Sequence, residues 1–295
     1  MELFSENLFE QVFNFAELDR TIASTIRLAA KNPLSLYLFF QRYTYFNGYA
    51  SAVIAQLASS IGMSRYLFSN SELLAIEEAD RGMEIAALVM SAAADEGMDD
   101  RPVHRVLAQL LLKTVGNYAG LSAEERNEFA KIPAWLNEIV DASIAGYQGT
   151  PGDIASLIRA LGFHLASEML GDREYSLLDM IIRRENKGIG FDRYLREKAV
   201  PVAIQGHKYH PWCWVVIHSE CDRSAAEAQH RDYALTALNM AVRYCRESDQ
   251  QMLTWAKEGF ATFVELQQRL FKEIFSECLE MSASCNTSSK VLLPK

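Results

Sequence analysis

The chain lacks most of the features that tie a sequence to a common chemistry. Its 295 residues include only five cysteines (Cys213, Cys221, Cys245, Cys278 and Cys285), odd in number, irregularly spaced and without a CxxC. That argues against a disulfide framework and fits a reduced, cytoplasmic setting. Basic residues are in deficit, with 29 Lys and Arg against 38 Asp and Glu and a formal net charge of −9. Phosphate binding needs a basic surface, so nucleic acid is not expected as a partner. The longest apolar run, 85–94, is far short of the roughly 20 residues that span a bilayer. The N-terminus, Met1-Glu-Leu-Phe-Ser-Glu6, is acidic where a secretory signal would be basic. No Gly-rich phosphate loop and no G-x-S-x-G elbow occur, and Gly188-Ile-Gly190 is too short to read as a nucleotide turn. No alternating strand pattern, internal repeat, low-complexity segment or linker is visible. The expectation is a soluble protein with no membrane partner.

What is present is helical periodicity over a 49% apolar composition, enough for a sizeable core. Leu8, Val12, Phe15, Leu18, Ile22 and Ile26 predict one helix over 5–31, ended by Asn32-Pro33. An aromatic-rich helix is expected over 34–61. Ser69-Asn70-Ser71 predicts the cap of a third helix running to 94, and Val103 opens another that runs to 115. Ser122-Ala-Glu-Glu125 reads as a cap, with Pro133 bending or splitting the helix that follows. A helix over 154–185 should be interrupted near Gly171-Asp172. Residues 191–211 read as a short helix and a loop. A helix from Trp212 should reach 246, and Ser248-Asp249 should start the last one. Together these give a single all-α domain over 1–281, a helical bundle, followed by a disordered tail over 282–295.

The residues with most chemical promise are histidines near acids. His218 and Asp222 are four apart in Trp212-Cys-Trp-Val-Val-Ile-His218-Ser-Glu-Cys-Asp222, and so share one face of the expected helix. His164 and Glu168 are four apart on another helix, and Glu96 and His104 flank a short turn. An imidazole and a carboxylate placed this way can bind a metal, and such pairs converge in di-iron bundles. Each pair alone is better read as an ordinary surface or capping pair. The setting of Glu168 adds weight: its neighbours are apolar or small, and a carboxylate there is costly unless paired, protonated or metal-bound. Cys221 reads as a thiolate ligand or, better, as a buried small hydrophobe. Glu77, Glu78, Asp80 and Glu84 read as a ligand source or, better, as a solvated face.

In order and spacing these motifs resemble the heme-oxygenase-like diiron oxidases and oxygenases. Asp95-Glu96-Gly97 followed by His104 is similar to that family's acid turn and helix-opening His. Leu161-Gly-Phe-His164-Leu-Ala-Ser-Glu168 is similar to its Glu in an apolar helix. His218 and Asp222 match the first two members of its His-x-x-x-Asp-x-x-His, and Ala225 stands where the third belongs. The resemblance implies a heme-oxygenase-like fold and iron ligands Glu96, His104, Glu168, His218 and Asp222. It implies two Fe(2+) ions, with one position in doubt at Ala225, and O2-dependent oxidation of a small molecule. An amino-acid-like or amine substrate in natural-product biosynthesis, and a homodimer, complete that expectation. Glu77 or Glu84 is an alternative source for the first carboxylate, and His164 is a replacement nitrogen ligand that the family pattern does not include. Heme oxygenase proper is disfavoured because no His precedes His104. The rival is a metal-free or degenerate relative serving as a binding or interaction module.

Overall fold

A computed structural model describes residues 3–69, 81–95, 104–219 and 226–289. These are almost entirely helical, and their buried apolar side chains form one continuous core. Among the described residues no helix is long and apolar enough to cross a membrane.

The first expected helix is two. Helix α1 is Glu6–Val12 and α2 is Phe15–Ala30. Phe13 is extended, and the Asn14 side chain accepts the Glu17 amide at 3.2 Å, so a new cap forms where periodicity alone predicted continuity. Leu18, Ile22 and Ile26 are buried as the pattern requires, while Val12 at the break is exposed. Asn32 caps α3, Pro33–Phe46, through the Leu34 amide, with Pro33 in the first turn, where its missing N–H costs nothing. The expected helix over 34–61 is also split. A 3₁₀ turn, Asn47–Tyr49, separates α3 from α4, Ala50–Met63. There the Asn47 amide donates to the Tyr43 carbonyl at 3.1 Å.

Helix α5 is Arg81–Asp95 and α6 is His104–Tyr118. The Ser122 cap forms a reciprocal box with Glu125 at the start of α7, Ala123–Phe129, and Pro133 separates it from α8, Ala134–Gly146. Helix α9, Ile154–Asp179, is continuous through Gly171-Asp172, contrary to the interruption expected there. Asp172 is held by Arg231 at 3.2 Å, which removes the reason for a break. A π-helical turn, Met180–Glu185, follows, then α10, Gly190–Glu197.

Residues 202–209 hold a small hairpin that the sequence reading did not anticipate. Strands β1, Val202–Ile204, and β2, His207–Tyr209, pair antiparallel around Gln205-Gly206, both at positive φ. A two-residue turn of that kind matches strand twist.

The helix expected from 212 to 246 is replaced by a short α11, Cys213–His218, and α12, Ala226–Arg243. Ser219 is extended (φ −94°, ψ 143°) and ends α11. His218 therefore closes a short helix instead of opening a long one, and Asp222 lies outside the described residues. Helix α13, Asp249–Ser289, completes the chain as described.

Helix α9 lies at the centre, packed against α2, α4, α11, α12 and α13. Its contact with α13 depends on two glycines. A Cβ on Gly259 would fall 1.8 Å from the Arg159 carbonyl oxygen, and one on Gly162 would fall 2.1 Å from that of Ala256. The two backbones therefore touch, and α9 is fixed against α13 with little freedom to slide. A buried polar hub secures the chain after the π-turn. Asp192 accepts from Arg183 at 2.5 Å, Arg196 at 2.7 Å and the Gly188 amide at 2.7 Å. Burial alone would raise its pKa, but these hydrogen bonds outweigh that and hold it below the ordinary aspartate range.

Candidate metal centre

Helix α9 carries four buried acids, Glu168, Asp172, Glu174 and Asp179. Two have ordinary structural partners. Asp172 pairs with Arg231, and Asp179 accepts the Trp212 indole N–H at 2.9 Å. The other two, Glu168 and Glu174, line a cavity of about 110 Å³ together with Tyr43, His104, Tyr175 and His230. Helices α3, α6, α9 and α12 thus each present a polar side chain to one space.

Glu168 sits between two imidazoles. Its Oε1 is 3.3 Å from Nδ1 of His164, one turn earlier, and its Oε2 is 3.6 Å from Nδ1 of His230 on α12. His164 is fully buried, and neither of its ring nitrogens makes a hydrogen bond. Burial lowers its pKa, opposed by the Glu168 charge and assisted by His230, so the ring is neutral and keeps a lone pair. A buried imidazole with no hydrogen bond is an incomplete arrangement, since unmet polar groups in a core are costly.

His104, at the first turn of α6, and His218, at the end of α11, form a second pair. Nε2 of His218 is 3.0 Å from Nδ1 of His104, and Nδ1 of His218 is 2.5 Å from the Trp214 carbonyl. That carbonyl can only accept, so Nδ1 of His218 carries its proton, and in the neutral ring Nε2 accepts from Nδ1–H of His104. Tyr175 stacks on His218 at 4.4 Å and 22°, and Trp214 stands edge-on to it. These contacts fix the ring plane.

The spacings suit metal ligands. Two donors each about 2.1 Å from one ion stand about 3.0 Å apart at right angles and about 3.4 Å apart at the tetrahedral angle. The His104–His218 contact and the Glu168–His164 contact match those edges. Among the described residues, no three or more His, Cys, Asp or Glu side chains form a ready-made cage. What the structure holds is two partial donor sets.

Glu174 differs from Glu168. It is 2% exposed, and no Lys, Arg or His pairs with it among the described residues. Burial pushes its carboxyl up to about 8, and the neighbouring Tyr43 hydroxyl pulls the other way. No contact of that hydroxyl meets full hydrogen-bond geometry, so its restraint is weak.

Of the residues singled out from the sequence, His104, His164, Glu168 and His218 are buried and gathered in this region. Glu96, Asp222, Ala225, Cys221, Glu77, Glu78 and Asp80 lie outside the described residues. Glu84 is exposed and ion-paired with Arg81 at 2.7 Å, which makes it a surface acid and not a substitute ligand. His207 is exposed on the hairpin, and His210 accepts the Trp212 amide at 3.2 Å. Two further residues at the cavity, His230 and Glu174, are not marked in the sequence. Neither carries a local pattern: His230 lies twelve residues beyond His218, and its role appears only when α12 packs on α9. Compared with known proteins, the chain matches no family model and no curated protein sequence.

Proposed function

We propose that the chain is a non-heme iron oxidoreductase that uses O2 to oxidise a small amine or amino-acid-like substrate. The observation that carries this reading is Glu168, a buried carboxylate held between His164 and His230, one of them an imidazole with no hydrogen bond. Glu168 would supply the anionic ligand, and His230 and His164 the neutral nitrogens. His104 and His218 would hold a second position, exchanging their mutual hydrogen bond for bonds to the ion. His230 would stand in for the nitrogen that the expected pattern places at Ala225. When bound, ferrous iron supplies the electrons that activate O2. The chain's own residues do the rest. The Trp214 carbonyl sets the His218 tautomer so that Nε2 faces inward. Tyr175 holds the plane of that ring.

The His104 ring and the Trp214 carbonyl together satisfy both nitrogens of His218 without any metal, which favours a metal-free binding protein as the second reading. Ferrous iron added without air separates the two. The oxidase reading predicts bound iron and an absorbance change on admitting O2. No bound iron and no such change would leave the binding protein.

A further inference from the structure

Glu174 is the acid that the metal reading leaves over. It faces the same cavity as Glu168 but has no cationic partner among the described residues. Gln267, on α13, lines that cavity too, is 1% exposed, and has an Oε1 with no hydrogen-bond partner. The wall therefore presents Oε1 of Gln267, a buried acceptor that no described residue satisfies, beside a buried carboxyl with no cationic partner among the described residues, and both are costly in a buried site. An apolar ligand would leave them unmet, and a carboxylate ligand would meet them with charge of the same sign. An alkylammonium supplies three N–H donors and one positive charge, the complement of both groups. Tyr43, Tyr175 and Trp214 line the same space, and ring faces attract cations. The cavity is about 110 Å³, against roughly 150 Å³ for one that takes benzene, so it has room for the ammonium and a few carbons.

We infer that the cavity binds a small primary amine as its ammonium ion, with Glu174, which gives its proton to solvent as the cation binds, as the anionic anchor and Oε1 of Gln267 as the second acceptor. This rests on reading the cavity as the substrate site of the proposed oxidase. Glu174 is then a substrate-binding residue and not a metal ligand.

The test is calorimetric titration of the metal-free chain with n-propylammonium, n-propanol and propionate in turn. The ammonium is expected to bind at least tenfold more tightly than either neutral or anionic analogue. Glu174→Gln should weaken the ammonium at least tenfold, leave n-propanol unchanged, and load ferrous iron as the parent does. Equal affinity for propylammonium and propanol overturns the inference, and so does a variant that binds the ammonium as the parent does. A variant that loses its iron would make Glu174 a metal ligand and overturn it as well. The ligand series on the parent chain decides the matter even if the variant misfolds. A chain that binds the ammonium but takes no iron refutes the metal reading and supports this one.

Discussion

Replacing Glu174 by Gln should stabilise the protein, and by an amount that grows with pH. The carboxyl is fully enclosed, has no cationic partner among the described residues, and is pushed from its ordinary 4.5 up to about 8 by burial. Below pH 4.5 the group is protonated in both folded and unfolded chains, and the substitution changes little. Between there and about pH 8 the unfolded chain releases the proton while the folded chain keeps it, so the parent loses stability as pH rises. At 1.36 kcal/mol per pH unit the loss reaches about 3 kcal/mol at pH 7 and levels off near 5 kcal/mol above pH 8. Gln has nearly the same shape and no charge to desolvate, so the variant escapes the loss. Other ionisable groups are common to both chains and largely cancel in the difference. Urea unfolding of parent and variant, followed by far-UV circular dichroism from pH 5 to 9, gives the difference directly. Parallel stability curves, or a gap that widens toward acid, would refute the reasoning. Such a liability in the core is what a group kept for binding looks like, since a structural role would be served better by Gln or Leu.

Gly259→Ala should destabilise the fold by about 3 kcal/mol, because its Cβ would meet the Arg159 carbonyl oxygen where backbone cannot yield cheaply. A thermal midpoint equal to the parent's would show that α9 and α13 are not in backbone contact. Asp192→Asn should cost about 3 kcal/mol at neutral pH by leaving Arg183 and Arg196 without their buried partner. The pKa of Asp192 is lowered in the folded chain, so its contribution is present above the ordinary aspartate range and is lost as pH falls through the folded value. The gap between parent and variant, read by denaturant midpoints, should therefore close in acid. His218→Ala should abolish iron binding, whereas His207→Ala, on the exposed hairpin, should leave it intact. Equal iron content in the two variants would remove His218 from the site.

Local chemistry was legible in the sequence, and long-range assembly was not. Asn32-Pro33, the Ser122 cap and Pro133 set helix ends through atoms within a few residues, and their boundaries fall where those atoms demand. Periodicity missed the breaks at Asn14, Asn47 and Ser219, because an apolar stripe continues across a cap without registering it. The predicted break at Gly171-Asp172 failed for the opposite reason. Asp172 finds Arg231, fifty-nine residues away, and no local pattern reports that. The buried setting of Glu168 was readable from its apolar neighbours, but its contact with His230 requires the packing of α12 on α9. Glu174 was hidden for the same reason, since a single acid in an apolar helix shows its isolation only once the surrounding helices are in place.

Iron bound at Glu168 separates an oxidase from a metal-free protein most directly. Crystals of the chain grown with ferrous iron in the absence of air, measured at the iron absorption edge, locate the metal by its anomalous scattering. The account predicts a peak within bonding distance of Glu168 and His230, in the cavity between α9 and α12. An iron-loaded crystal with no peak there, or with peaks only on exposed side chains, would contradict it.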